Sequence, residues 1–198
     1  APPKEKSVYK GELVGEGGRV KSIPGTYTNV ALLDIASMHP ASIIAMNMFG
    51  KYTPRFKELM DARLAIKHND LENAATFFDG RLAPYVKDPA VAEMLAYALK
   101  IVINSVYGLT KSAHPTRFKD SRNIDNIAAK RGALFMVDRE EFVASEGFEV
   151  VHTKTDSVKI PNATPEIIEK VKEFGARYGY TFEHEATFWQ LALFNDAV

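Results

Sequence analysis

The stretch Glu149–Ile160, EVVHTKTDSVKI, narrows the folds open to this chain more than any other. Two arms rich in β-branched residues, Glu149–His152 and Ser157–Ile160, flank a polar tip, Thr153-Lys154-Thr155-Asp156. That pattern predicts a β-hairpin, which holds Asp156 at the mouth of a turn on a rigid support. A second run, Asn29-Val30-Ala31-Leu32-Leu33, ends at Asp34. If the two strand ends are neighbours, Asp34 and Asp156 form a carboxylate pair, and Mg²⁺ favours one or two carboxylates together with phosphate oxygens and water. Taken singly, each is equally an ordinary turn aspartate.

Composition limits the alternatives. The 198 residues suffice for one domain, or one domain with a subdomain. With no cysteine, disulfides and thiolate-bound metals are excluded, so any metal must sit on oxygen or imidazole. This fits a reducing compartment, and the expected location is the cytoplasm, a host's cytoplasm if the source is viral. No uninterrupted apolar run approaches the ~20 residues that span a bilayer, so no membrane partner is expected. The 25 basic and 25 acidic residues cancel. A nucleic-acid surface must then come from local clustering of cations. The chain opens at Ala1 and stops inside an apolar run, which reads as a fragment of a longer protein.

Residues 1–26 read as an irregular lead-in, followed by a buried strand Tyr27–Asp34, a turn Ile35–Pro40 and a short helix Ala41–Met48. Thr53-Pro54 and Asp88-Pro89 each carry an N-cap followed by proline in the first turn. They predict helices to about residues 68–73 and to Val106, the second ended by Gly108. Residues 74–87 read as a connector and Lys111–Ser121 as a basic loop. A helix Asn123–Ser145, the hairpin, a helix from Thr164-Pro165-Glu166 to about Tyr178, and strands Thr181–Glu185 and Thr187–Phe194 complete the chain. Short strands at both ends with helices between them give an α+β fold, a mostly antiparallel sheet with helices on one face.

The helix that starts at residue 54 puts Arg63 and Lys67 four residues apart on one face. The helix that starts at 89 puts Lys100, Asn104 and Tyr107 on another single face. Two helices offering cations from one stripe each suit a polyphosphate. A solvated helix face carries the same spacing.

In order along the chain, Asp34-Ile35-Ala36-Ser37-Met38-His39-Pro40, Lys100-Ile101-Val102-Ile103-Asn104-Ser105-Val106-Tyr107-Gly108 and Thr155-Asp156-Ser157 resemble the three polymerase motifs of family B DNA polymerases, usually DxxSLYP, KxxxNSxYG and DTDS. Gly17-Gly18-Arg19-Val20 is similar to the glycine pair that joins the exonuclease and polymerase halves there. Arg63 and Lys67 match the paired cations of the fingers. Glu183-His184-Glu185 resembles the acidic pair that precedes the primer-binding motif. The resemblance spans essentially the whole chain and implies palm (1–50 and 109–198) plus a helical-hairpin fingers subdomain (51–108), with exonuclease and thumb outside it. It implies template-directed DNA synthesis from dNTPs on a primer-template. Asp34 and Asp156 would be catalytic and, with the Ile35 carbonyl, would hold two Mg²⁺ ions, for which Mn²⁺ can substitute. It places Ser37, Met38, His39, Arg63, Lys67, Lys100 and Asn104 on the nucleotide, and Tyr107 and Gly108 at the nascent pair. Lys154, Thr155, Glu183 and Glu185 become accessory, although a strand-end glutamate such as Glu185 is also an ordinary solvated acid. Without a thumb, duplex binding by these residues alone is expected to be weak and salt-sensitive.

Two departures stand out. Lys154 occupies the place of the family's first motif-three aspartate, and His39 that of a tyrosine packed under the sugar. The imidazole could still crowd a 2′-hydroxyl, or could be a packing histidine. The extra residue in Pro40-Ala41-Ser42 resembles the protein-primed phage branch. A palm-like module that binds DNA but has lost catalysis is the first alternative, favoured by Lys154 and the zero net charge. A small template-independent nucleotidyltransferase is the second. If Lys154 merely lowers negative charge beside the metal carboxylates, Lys154→Asp shifts the Mg²⁺ midpoint of activity while leaving the thermal midpoint within a few degrees. Superimposable metal titrations of the two proteins would refute that role.

Overall fold

A computed structural model of the chain describes residues 7–14, 18–112, 114–116 and 126–194. Its main sheet is built on β4, Gly25–Ile35, which pairs antiparallel with β6, Ser157–Ile160, on one side and with β7, Phe182–Leu193, on the other. Outside β6 lie β5, His152–Lys154, and β3, Val20–Ser22, giving the order β3-β5-β6-β4-β7. Burial alternates along the strands as an antiparallel sheet with one covered face demands. Ala31, Leu33, Ile35, Val158, Ile160 and Phe182 are buried, whereas Leu32, Asp34, Ser157 and Lys159 between them are only half-buried.

The covered face carries α5, Ile127–Ser145, and α6, Pro165–Arg177. The α6 helix starts where the sequence predicts, with the Thr164 hydroxyl accepting from the Ile167 amide at 3.3 Å. It buries Ile167, Ile168, Val171 and Gly175 along one stripe. The Phe135 ring of α5 packs on Phe174 of α6 at 5.7 Å between centroids, on Tyr180 at 4.6 Å and on Phe182 of β7 at 6.0 Å. Such pairs contribute about 0.5–1.5 kcal/mol each beyond their area. The α+β architecture, with helices on one face of an antiparallel sheet, is therefore present.

The chain divides into two compact units, Ala1–Ser42 with Asp125–Val198, and Ile43–Ile124. The second is helical. It contains a 3-10 turn Gly50–Tyr52, α2 at Thr53–Lys67, α3 at Leu71–Thr76, a 3-10 turn Ala83–Tyr85 and α4 at Pro89–Thr110. The α2 and α4 helices pack together, and Asp88 caps α4 by accepting from the Ala90 amide at 2.9 Å.

Several expectations need correction. The lead-in is not irregular: β1, Ser7–Tyr9, and β2, Glu12–Val14, form a hairpin. Its turn residues Lys10 and Gly11 both have positive φ, as a tight type I′ connection requires. The helix after Asp34 is α1, Met38–Ala45, and takes in Pro40. A proline in the first turn loses only an amide that has no helical partner anyway. Thr53 lies inside α2 rather than capping it, because the preceding 3-10 turn runs straight into the helix. After α2 the chain breaks at Asn69, φ 58°, and restarts as α3 with Asp70 as cap, inside the supposed helix end and connector. Gly108 does not stop α4, which runs on to the buried Thr110. Packing there outweighs the roughly 1 kcal/mol cost of a helical glycine.

The hairpin tip is only Thr155-Asp156, with Lys154 paired to Ser157, and Glu149–Val151 are not strand. The two closing strands are one, β7, with a register shift opposite Leu32/Leu33 that leaves Glu185 without an opposite residue. Gly17, the first turn of the Asn123 helix and most of the Lys111–Ser121 loop lie outside the described residues. Contrary to the count of uninterrupted apolar residues, α4 is long and apolar enough on average to cross a membrane, although Glu93 and Lys100 interrupt it.

A methyl group on Gly175 would sit 2.7 Å from the Phe182 ring and 3.1 Å from the Tyr180 carbonyl. Gly175→Ala should thus destabilise by about 1–3 kcal/mol through overpacking, despite the better helix propensity of alanine. The urea midpoint measures this, and an unchanged or higher midpoint would contradict it.

Candidate active site on the open face of the sheet

In the first unit the strand register brings Asp34 and the 155–156 turn together. Asp34 lies opposite Ser157 of β6 and opposite Glu183 of β7. Directly opposed residues of antiparallel strands share a face, so Asp34, Ser157 and Glu183 form one row. Asp156 adjoins Ser157, and its carbonyl accepts from the Ile35 amide at 2.9 Å. The two aspartates therefore stand on neighbouring strand ends, both half-buried. Lys154 extends the same row and is exposed, and it makes no ion pair with Asp156. Glu185 sits in the bulge of β7, exposed beside the row.

The turn is held from behind. Thr155 has φ 53° and donates its amide to the Arg19 carbonyl at 2.8 Å. A Cβ on Gly18, itself at φ 120°, would approach Thr155 Cγ2 at 3.0 Å, so glycine permits this close passage. On the covered face the Thr153 hydroxyl donates to Glu140 Oε1 at 2.8 Å and accepts from Arg139 Nη2 at 3.1 Å. Arg19 grips both oxygens of Glu140 at 3.0 Å, and Lys21 reaches the second at 3.2 Å. Arg139 is fully buried, and burial pushes its guanidinium down to about 9. Burial pushes the Glu140 carboxyl up, but the Arg19 hydrogen bonds, the Arg139 charge and Thr153 together bring it below its ordinary value. Arg139 and Glu140 escaped the sequence reading because Asp138-Arg139-Glu140-Glu141 looks like a solvated charge run. Only the fold shows that its middle pair faces the sheet.

The α1 helix begins immediately after the Asp34 strand. Ser37, at φ 51°, accepts the Ala41 amide through its carbonyl at 2.9 Å. Met38 is a core side chain packed on Gly132 of α5, which leaves only its backbone for a ligand. His39 is half-buried in the first turn.

In the second unit Arg63 and Lys67 of α2 and Lys100 of α4 line one groove of about 460 Å³, together with Asn69, Glu93 and Tyr97. The helical spacing thus brings the three expected cations to one cavity. Asn104 and Tyr107 do not line it. Asn104 is exposed, and Tyr107 lies beneath Lys111 Nζ, 5.3 Å from the ring centroid. A Cβ on Gly108 would meet nothing within 4 Å, so internal packing does not demand a glycine there.

No family model and no curated protein matches this chain. Among solved structures it is similar to the family B DNA polymerase from the hyperthermophilic archaeon Pyrobaculum calidifontis, with a TM-score of 0.61. The fold is palm-like. The match covers 96% of this chain and 27% of that chain at 14% identity, so the likeness is one of fold.

Among the described residues no group of three or more acids and histidines is arranged to hold a metal. Asp34 and Asp156 are two carboxylates on adjacent strand ends, a number that Mg²⁺ can use together with phosphate oxygens and water. Glu140→Ala should cost about 3–5 kcal/mol, because it leaves Arg139 buried without its neighbouring charge, 3.6 Å away. A carboxyl held low stabilises the fold above its unfolded-state value near 4.5, and that contribution is lost as pH falls through the lower folded value. Glu140→Gln should therefore show a shallower loss of stability below about pH 4.5 than wild type. Parallel acid limbs in urea titrations would contradict this.

Proposed function

We propose that the chain carries the catalytic palm and fingers of a family B-type DNA polymerase and adds a dNTP to a primer 3′-hydroxyl under template direction. The observation that carries this reading is the Asp34–Asp156 pair, set on adjacent strands by the Ile35–Asp156 hydrogen bond within a polymerase-like fold. On this reading the unit Ala1–Ser42 with Asp125–Val198 is the palm and the unit Ile43–Ile124 the fingers, against 1–50, 51–108 and 109–198 from the motifs.

Asp34 and Asp156, with the Ile35 carbonyl, would hold Mg²⁺. When bound, that ion lowers the pKa of a coordinated hydroxyl and neutralises charge on the attacking and leaving oxygens. Arg63, Lys67 and Lys100 neutralise the triphosphate and orient it, with forked guanidinium contacts from Arg63. The first-turn amides of α1 at Met38 and His39 have no helical acceptors of their own and suit phosphate oxygens. Asn104 and Tyr107 contact the nascent pair, where the absence of a side chain at Gly108 permits close approach. His39 crowds the sugar 2′ position. Primer-template DNA and dNTPs are the partners, with exonuclease and thumb parts completing the working enzyme in a viral or phage-type replication setting in the cytoplasm.

A DNA-binding module without catalysis is the second reading, and the exposed Lys154 in the row of Asp34 favours it. Single-nucleotide primer extension at high protein concentration with Mg²⁺ or Mn²⁺ decides between them. Templated incorporation should fall by about a hundredfold or more in Asp34→Asn and in Asp156→Asn, at least the upper end of what even outer-shell changes cost a metal site. Incorporation that is absent in wild type, or unchanged in both variants, overturns the catalytic reading.

A further inference from the structure

We propose that Lys154, Lys159 and His152 form a binding site for backbone phosphates of nucleic acid on the open face of the sheet beside Asp34. The inference deepens the polymerase reading by naming what this face takes, and it rests on that reading for the choice of DNA. The strand register makes the cluster. His152 lies opposite Lys159, and Lys154 opposite Ser157, so the rows of His152 and Lys154 share one face with Asp34 between β6 and β7. Lys159 Nζ is 3.2 Å from His152 Nδ1, which therefore accepts while its other ring nitrogen remains a donor.

These cations lack counter-charges. Elsewhere in the same unit Lys10, Arg19, Lys21, Lys170 and Lys172 each pair with a carboxylate, whereas Lys130, Arg131 and Arg177 also make no carboxylate pair among the described residues. Among the described residues Lys154 and Lys159 make none, although Lys159 is half-buried. Burial and the charges of Lys159 and Lys154 hold the His152 imidazole below its ordinary value, and burial with Lys154 does the same to Lys159. Ser22, opposite His152, adds a buried hydroxyl with no hydrogen-bond partner. Crowded like charges and an unused hydroxyl on one sheet face suit a ligand with negative charge and several acceptor oxygens, and a phosphodiester supplies both. The cluster also gives a chain of zero net charge the local positive patch that nucleic-acid binding needs.

The test is fluorescence anisotropy of a labelled primer-template duplex with the 198-residue chain, across a salt series starting at low ionic strength. Lys154→Gln alone, an exposed change that leaves the sheet core intact, should weaken binding and lower the slope of log affinity against log salt by about one. Lys154→Gln with Lys159→Gln should lower it by about two, uniformly across sequences. Lys172→Gln, remote on α6, should leave it unchanged. No measurable duplex binding by wild type, or slopes unchanged in both lysine variants, overturns the proposal. So does loss of dNTP affinity with duplex binding intact, because the phosphate would then be the nucleotide's. Primer extension by Asp34→Asn is scored separately, so failed nucleotidyl transfer is not mistaken for a failed phosphate site.

Discussion

The register between β4 and its two neighbours is the constraint on which the rest depends. Side chains on a strand alternate with a period of two, so a one-residue slip of β6 would send Ser157 and Lys159 to the covered face and Val158 and Ile160 to the open one. Two features pin the register. On the covered face, Leu33, Val158 and Ile160 are fully excluded from water and tolerate no exchange with the polar row. At the strand end, the Ile35 amide and the Asp156 carbonyl lock the turn to the end of β4. The same alternation that fills the core therefore presents carboxylates and lysines together on the open face.

The covered face supports the open one through ions as well as apolar packing. Arg139, Glu140, Arg19 and Thr153 form a connected set running from α5, under β5, to the segment whose carbonyl holds Thr155. Charges buried in such a set are costly unless fully satisfied, and Arg139 leaves Nε and Nη1 without hydrogen-bond partners, so the set constrains geometry rather than adding stability. Here that geometry fixes the position of the Asp156 turn. In the helical unit the groove cations come from helical spacing on α2 and α4.

Charge of both signs sits within one row of the sheet. Asp34 and Glu183 share the row of Lys154, with Ser157 between Lys154 and Asp34, and Lys159 with His152 forms the adjoining row. A ligand carrying both anionic and cationic groups would complement the two rows at once.

Local chemistry made much of this legible beforehand. The β-branched arms announced the hairpin. The Asp-Pro and Thr-Pro pairs announced α4, α6 and, within a residue, α2, and the i, i+4 spacing put Arg63 with Lys67. Such signals depend on neighbours in sequence, and a chain read alone supplies them. The errors fell where longer-range packing outweighed a local preference. Gly108 passed through a helix that packing sustained, Pro40 was absorbed into a first turn, and one bulge at Glu185 joined two expected strands into one. Sequence determined which residues could be acids, cations and turns. Only the tertiary structure decided that Arg139 and Glu140 face the sheet and that Lys154, Lys159 and His152 share its open face, because both follow from strand register and helix docking between residues far apart in the chain.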